Sequence, residues 1–100
     1  MRRDDVIARL KQIEPALRAA GVGALYLFGS HARDEASAAS DVDVFVDPAP
    51  NKDLGFLPFM EAYEALQDAF EHRVELGYST RAGLSPHVRS EVEREARRIF

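Results

Sequence analysis

The sequence contains no cysteine, which excludes disulfide scaffolds, thiolate zinc sites and cysteine nucleophiles. It also lacks a long apolar run, because the most apolar stretch, residues 22–28, contains Gly23 and is far too short to cross a bilayer. The basic residues at positions 2 and 3 are followed by two aspartates rather than by an apolar segment, so no signal peptide is predicted. We therefore expect a cytoplasmic protein without a membrane span.

Positive charge is also scarce. Thirteen Lys and Arg residues stand against seventeen Asp and Glu residues, which gives a net charge of −4. A protein that binds nucleic acid by neutralising phosphates needs the opposite balance, so we expect no stable nucleic-acid binding and a small polyanion at most. With 100 residues, 46% of them hydrophobic, the chain is predicted to form a single domain over residues 1–100.

Three segments have the pattern of β-strands. Residues 24–28 are apolar on both faces, as in the centre of a sheet. Residues 41–47 alternate, with valines on one face and Asp41, Asp43, Phe45 and Asp47 on the other. Residues 73–78 alternate in the same way.

Helical spacing of apolar residues fills the rest of the chain. A first helical region is predicted from Asp4 to Gly21, with a break at Pro15. Asp53 is predicted to cap a second helix, and Ser85 to cap a last helix that continues to Ile99. The buried stripe of the second helix is predicted to contain Phe56, Met60, Tyr63, Leu66 and Phe70. The fold class is therefore α/β (α+β), a small mixed β-sheet with helices packed against it.

A Gly-Ser turn directly follows the first strand. Gly29 permits a sharp turn, and Ser30 then opens a helical turn whose N–H groups and hydroxyl can face an anion such as phosphate. An ordinary turn explains the same dipeptide when it is considered alone.

Two aspartates share one face of the second strand. The Cα atoms of Asp41 and Asp43 are expected to lie about 6.5 Å apart. At that separation two negative charges repel by about 2.5 kcal/mol at an effective dielectric constant of 20. Either water solvates this face, or a divalent cation binds between the carboxylates. Oxygen ligands favour Mg²⁺ or Mn²⁺, and the flanking valines and phenylalanine favour the metal.

Glu75 can present a third carboxylate from the third strand to the same face. Three acidic side chains on adjacent strands can hold two metal ions, the arrangement that supports phosphoryl or nucleotidyl transfer. The alternative for Glu75 is an ion pair with Arg73 or Arg81. Arg33 has two interpretations as well: it neutralises a triphosphate, or it is a surface residue paired with Asp34 or Glu35.

The three histidines have no metal-ligand spacing, so they are interpreted as solvated or capping residues. They are His31, His72 and His87.

These motifs together resemble a known family. Gly29-Ser30, then ten residues, then Asp41-Val42-Asp43 is similar to the signature of minimal nucleotidyltransferases in the DNA polymerase beta-like superfamily. The resemblance extends to Val74-Glu75-Leu76 and to a closing Glu95-Ala96 pair, and it covers nearly the whole chain. It implies the nucleotidyltransferase fold and similarity to the antitoxin of HEPN/MNT toxin–antitoxin pairs.

The resemblance also implies roles for individual residues. Gly29 and Ser30 would bind the β and γ phosphates of ATP, and Asp41, Asp43 and Glu75 would be the catalytic ligands of two Mg²⁺ ions. Two positions depart from the family pattern. Glu75 stands where the family usually has aspartate, and a misplacement of about 1 Å can cost about 10²-fold in rate. Asp34 stands where glycine is common, which adds negative charge near the phosphate site.

The implied function is transfer of AMP from ATP to a tyrosine hydroxyl of a partner HEPN toxin, which silences the toxin. The short chain leaves little material for an acceptor pocket, so the acceptor is expected to come from another macromolecule. One alternative is an antitoxin of weak or lost activity that neutralises its partner by occlusion. Another is transfer to a small molecule such as an antibiotic, with the missing pocket supplied in part by a homo-oligomer.

Overall fold

The computed structural model describes residues 2–36 and 41–100, and the described residues form a four-stranded mixed sheet with helices on both faces. The helices are α1 (Arg3–Gln12), α2 (Glu14–Ala19), α3 (Gly29–Ala32), α4 (Phe56–Ala69) and α5 (Arg89–Glu95), and the strands are β1 (Val22–Phe28), β2 (Val42–Pro48), β3 (Leu76–Thr80) and β4 (Arg97–Arg98). The predicted α/β class is confirmed. Residues 37–40, which belong to the ten positions between Ser30 and Asp41, lie outside the described residues.

The strand order across the sheet is β3-β2-β1-β4. β1 runs antiparallel to both β2 and β4, whereas β2 and β3 are parallel. A parallel pair needs a crossover connection, and α4 supplies it between β2 and β3. Since β1 and β2 are antiparallel neighbours, the turn that follows β1 and the start of β2 lie at the same end of the sheet.

β2 is buried on both of its faces. Its valines, which are fully buried, pack with Leu25 and Leu27 of β1 in a core that also contains residues of α1, α2 and α4. On the opposite face, Phe45 packs with Leu84 and with Val92 of α5. The alternation predicted for residues 41–47 is therefore confirmed, and the side that carries the aspartates is also the side covered by α5.

The C-terminal part of the chain differs from the prediction. The last helix begins at Arg89 rather than after Ser85, because the Arg89 guanidinium holds the preceding turn by donating to the carbonyls of Ala82 and Leu84. It ends at Glu95, and the next residues form β4 against Tyr26 and Leu27. The pairing satisfies backbone groups of β1 that would otherwise form an open edge.

The start of α4 also differs from the prediction. The N-cap is Gly55 and not Asp53. A start at Leu54 would place Pro58 beyond the first turn, where its missing N–H breaks a helical hydrogen bond, whereas a start at Phe56 keeps it in the first turn. Phe56, predicted to be buried, is 76% exposed as a result.

β3 begins at Leu76 rather than at residue 73. Glu71 and His72 both have positive φ, so the chain is still turning after α4 and cannot yet be extended. Gly21 ends the first helical region with φ 103°, as predicted. Within the described residues, no helix is both long and apolar enough to cross a membrane.

Candidate active site

The Gly-Ser turn and Asp43 lie side by side. Phe28, the last residue of β1, pairs with Asp43 in the antiparallel ladder, so the chain turns at Gly29 immediately beside the Asp43 side chain. Gly29 has φ 77°, a left-handed conformation that favours glycine. A Cβ at this position would lie 2.5 Å from Oδ2 of Asp43. Glycine is therefore required at position 29 both by backbone conformation and by space.

Asp43 is half-buried, and its environment disfavours the charged form. Its pKa is raised above the usual value, first because burial removes water from the carboxylate and second because Asp41 repels it. Interactions with His31 and Arg33 act in the opposite direction and lower the Asp43 pKa. A divalent cation between Asp41 and Asp43 would remove the repulsion, and their oxygen atoms are the ligands that Mg²⁺ prefers.

Asp41 and Glu75 are both exposed at the same end of the sheet. The carbonyl oxygen of Glu75 accepts a hydrogen bond from the backbone N–H of Val42, 2.9 Å away, which places Glu75 beside the start of β2. Arg73 pairs with Glu71, and Arg81 pairs with Asp47 and Glu93. Neither arginine forms the ion pair that was the alternative interpretation of Glu75.

The three acidic side chains do not converge into a closed cluster. Among residues 2–36 and 41–100, three potential metal-ligating atoms lie within 4.8 Å of one another only in Glu64, Asp68 and His72, which are exposed on and after the end of α4. The carboxylate oxygens of Asp41, Asp43 and Glu75 do not all lie within 4.8 Å of one another. The side chains of Asp41 and Glu75 are exposed, so binding of a cation by all three residues would have to bring these two carboxylates towards Asp43.

Arg33 is paired with two carboxylates. Its Nη1 donates to both oxygens of Glu95 at 3.0 and 3.2 Å, and its Nε lies 3.3 Å from Oε2 of Glu35. These bonds, first to Glu35 and then to Glu95, raise the Arg33 pKa further. Arg33 therefore pairs with Glu35, as one of its two interpretations predicts, and also with Glu95, while its role at the triphosphate stays a prediction.

Two neighbours of the turn correct or refine the sequence analysis. His31 was predicted to be solvated or capping, but it is only 3% exposed, and its Nδ1 has no hydrogen-bond partner among the described residues. Asp34 has φ 58°, which explains why glycine is common here in the pattern the sequence resembles. Aspartate is one of the few other residues that adopt this conformation readily.

A cavity of about 430 Å³ lies at the other end of the parallel strand pair. Asp47, Thr80, Arg81 and Arg89 contribute to its lining, and none of the predicted site residues does. In the extended strand β2, Asp43 and Asp47 are four positions apart, which corresponds to about 13 Å. The cavity is therefore separate from the end of the sheet that carries Gly29 and Asp43.

The fold and the motifs agree with a family comparison. The family model described as nucleotidyltransferase domain matches residues 6–99, which is nearly the whole chain. The chain belongs to this family. It is thus a nucleotidyltransferase, as its resemblance indicated. No curated protein matches the sequence significantly.

Solved structures support the nucleotidyltransferase fold. A structure assigned as a minimal nucleotidyltransferase superposes with a TM-score of 0.77 at 29% identity, over 97% of this chain and 95% of that one. A toxin–antitoxin structure with AMP-PNP gives a TM-score of 0.62 at 19% identity, and the toxin–antitoxin MntA-HpeT in a doubly substituted form gives 0.59 at 17%. Each of these two covers 100% of this chain and 73% of the other.

Sequence reasoning missed two neighbours of the candidate site in this nucleotidyltransferase. Glu95 was noted as part of the closing Glu-Ala pair but not as the partner of Arg33, and nothing local in the sequence joins positions 62 residues apart. Gly77, the β3 partner of Asp43, was noted on the face of Glu75 without a role. A glycine inside a strand often marks a close approach of another group, and that signal was available.

Proposed function

We propose that this nucleotidyltransferase transfers AMP from ATP to a tyrosine hydroxyl of a partner toxin of the HEPN class and thereby acts as an antitoxin. The observation that carries the proposal is the position of the Gly29-Ser30 turn directly beside half-buried Asp43. A phosphate-binding turn next to metal-binding carboxylates is the minimum needed to hold a nucleoside triphosphate for in-line attack. The similarity to a toxin–antitoxin structure with AMP-PNP agrees with this combination of nucleotide and partner.

In this proposal each residue has a distinct task. The backbone N–H groups at Gly29 and Ser30 bind the β and γ phosphates of ATP. Asp41, Asp43 and Glu75 would hold two Mg²⁺ ions, with Glu75 contributing to the one that activates the acceptor. Two such ions supply charge neutralisation of the triphosphate and a lowered pKa for the acceptor hydroxyl, and Mn²⁺ can serve in the same positions. In the doubly substituted toxin–antitoxin, the aspartates changed to glutamate are two positions apart, the spacing of Asp41 and Asp43 here.

The acceptor has to be brought by the partner protein. The cavity at the far end of the strands contains none of the proposed catalytic residues, and the candidate site itself is open, with Asp41 and Glu75 exposed. An exposed site can receive a tyrosine from the surface of another protein without a further domain. We propose that the chain acts in the cytoplasm, because ATP and an intracellular toxin are both available there.

The test is transfer of label from α-labelled ATP, with Mg²⁺ present, to the purified product of the neighbouring gene. Label on a toxin tyrosine, lost when Asp43→Asn replaces the wild type, is the expected result. The folded state of Asp43→Asn is checked by circular dichroism. An Asp43→Asn protein that transfers AMP at the wild-type rate contradicts the assignment of the site.

A second candidate function is neutralisation by occlusion, without transfer. Two observations favour it: Arg33 is engaged by Glu95 and Glu35, and the three carboxylates are not gathered within ligand distance. An antitoxin of this kind would inhibit the toxin's ribonuclease activity equally well without ATP. Inhibition assays with and without ATP therefore separate the two functions.

A further inference from the structure

The carboxylate of Asp43 lies between the backbones of two glycines, one in the turn after β1 and one in β3, the two strands that flank β2. Gly29 at the end of β1 is beside Oδ2, where an added Cβ would lie 2.5 Å away. Gly77 on β3 is beside Oδ1, where an added Cβ would overlap that oxygen and lie 3.3 Å from Cγ. Both are far closer than van der Waals contact allows, so neither position tolerates a side chain while Asp43 keeps this conformation.

The backbone of Gly77 does not require glycine. The glycines with positive φ among the described residues are Gly21 and Gly29, and Gly77 is paired regularly with Asp43 in the parallel ladder. Glycine in a strand interior is less stable than alanine, because it loses more backbone entropy and packs no side chain. Its presence in β3 is explained by the space that its missing Cβ leaves for the carboxylate.

We propose that Gly77 is a positioning residue: together with Gly29 it forms a slot that fixes the direction of the Asp43 carboxylate. This role rests on the proposed function. It is to hold one metal ligand, the Asp43 carboxylate, in place before the metal ions bind. Asp41 and Glu75 are exposed and have to move into position, whereas Asp43 is held on both sides. Asp43 therefore supplies the fixed point of the metal site.

A methyl group at position 77 would affect the site more than the fold. The atom it meets first is an oxygen at the end of the Asp43 side chain, and its distance to the Cα of Asp43 is 3.7 Å, an ordinary contact. The side chain can turn away without separating β2 from β3. A carboxylate displaced by about 1 Å is enough to lower a rate by about 10²-fold.

Gly77→Ala tests this directly, with Gly55→Ala as the matched control. The same methyl group at Gly55 would have Pro58 Cδ at 3.9 Å, an ordinary contact, and would not meet Asp43. Because Gly55 is the N-cap of α4, this alanine is expected to lower stability slightly and to leave the metal site unchanged. We expect Gly77→Ala to bind Mn²⁺ at least about tenfold more weakly by titration calorimetry, with a melting temperature in EDTA close to that of the wild type, and Gly55→Ala to bind as the wild type does. Unchanged Mn²⁺ affinity in Gly77→Ala overturns the proposal.

A second measurement tests the slot without any metal. Gly77→Ala is introduced into the wild type and into Asp43→Ala, and melting temperatures are compared in EDTA. In Asp43→Ala the slot is empty, so the alanine should raise the melting temperature, whereas in the wild type the overlap with Oδ1 should cancel this gain. Equal shifts in both backgrounds overturn the slot.

The two measurements also separate this inference from the proposed function. A wild type that binds no Mn²⁺ contradicts the metal site, while the melting temperatures still decide whether Gly77 makes room for Asp43. If Gly77→Ala fails to fold and the double variant folds, the overlap with Asp43 is the cause and the slot is supported. If neither folds, glycine is needed for another reason and the proposal is wrong.

Discussion

Arg33 and Glu95, 62 positions apart, are joined by hydrogen bonds of 3.0 and 3.2 Å between a guanidinium nitrogen and both carboxylate oxygens. This pair links α3, which begins at Gly29, to the last residue of α5. The chain then continues into β4, which pairs with β1 just before the same turn. The Gly29-Ser30 turn is therefore connected to the C-terminal segment at two points.

Exchanging the charges of this pair separates its structural role from nucleotide binding. If Arg33 also neutralises the triphosphate, Arg33→Ala should weaken ATP binding by about tenfold, the loss expected for one charge-assisted hydrogen bond. In the double variant Arg33→Glu with Glu95→Arg, the ion pair can form again, so melting temperature should recover while ATP affinity does not. Calorimetric titration with a non-hydrolysable ATP analogue measures the affinity. Full recovery of binding in the exchanged pair would show that Arg33 acts only through Glu95.

Asp43 should make the metal-free protein less stable as pH rises. Its pKa is raised in the fold above the usual value of 3.8, mainly because burial disfavours the carboxylate. Below that value the carboxyl is protonated in the folded and unfolded states alike, so Asp43 does not lower the free energy of unfolding. As pH rises from there through the raised pKa, the unfolded chain ionises first and stability falls, and above both pKa values the full cost remains.

Asp43→Asn removes this cost. In EDTA at pH 7 we expect its melting temperature to exceed that of the wild type, with a difference that shrinks towards zero at pH 3. Added Mn²⁺ should raise the melting temperature of the wild type alone. Thermal unfolding between pH 3 and 8 measures all three effects, and a wild type more stable than Asp43→Asn in EDTA at pH 7 would contradict them.

Glu75 should affect turnover more than nucleotide binding. In the proposed site it ligates only the ion nearer the acceptor, so Glu75→Gln should lower kcat by about 10²-fold and leave the KM for ATP within about twofold. Asp43→Asn should impair both parameters, since Asp43 ligates both ions. Steady-state kinetics of AMP transfer provide the comparison. Equal effects of Glu75→Gln on kcat and KM would place Glu75 at the triphosphate instead.

Phe45 should be the most costly residue to truncate on the face covered by α5. Its fully buried ring stacks on Tyr26 at 4.8 Å, and the Arg81 guanidinium lies 4.9 Å from its centroid. Phe45→Ala should lower the free energy of unfolding by about 3–5 kcal/mol. Leu57, 71% exposed, is the control, because Leu57→Ala should stay within about 0.5 kcal/mol of the wild type. Urea denaturation measures the free energy of unfolding of both variants. A comparable decrease in the two would show that the packing around Phe45 contributes little to stability.

Local patterns in the sequence predicted the centre of the sheet well. Residues 41–47 alternate strictly, so the faces of Val44 and Phe45 follow from the period of a strand alone. The signature from Gly29 to Asp43 indicated the family because its residues lie close together in the sequence, from the turn after β1 to the start of β2. Both are short-range features, and a single sequence contains them in full.

Long-range pairing was not visible in the sequence. Val92, Ala96 and Ile99 have helical spacing, yet the chain leaves the helix after Glu95, because β1, some 70 residues earlier, has an edge that pairs with Arg97 and Arg98. Ile99 then packs in the core on the other face of the sheet. The slot around Asp43 was hidden for the same reason, since Gly29, Asp43 and Gly77 meet only when three strands are aligned.

The last four residues lie along the edge of β1 and do not continue the helix α5. Leu25 donates to the Phe100 carbonyl at 3.1 Å and accepts from the Ile99 N–H at 2.8 Å, in line with the pairing of β4. Truncation before Arg97 would expose one edge of the apolar strand 22–28, and this edge would be available to pair with other copies of the chain. Shortened versions of this protein are therefore expected to aggregate during expression even though every proposed catalytic side chain is still present.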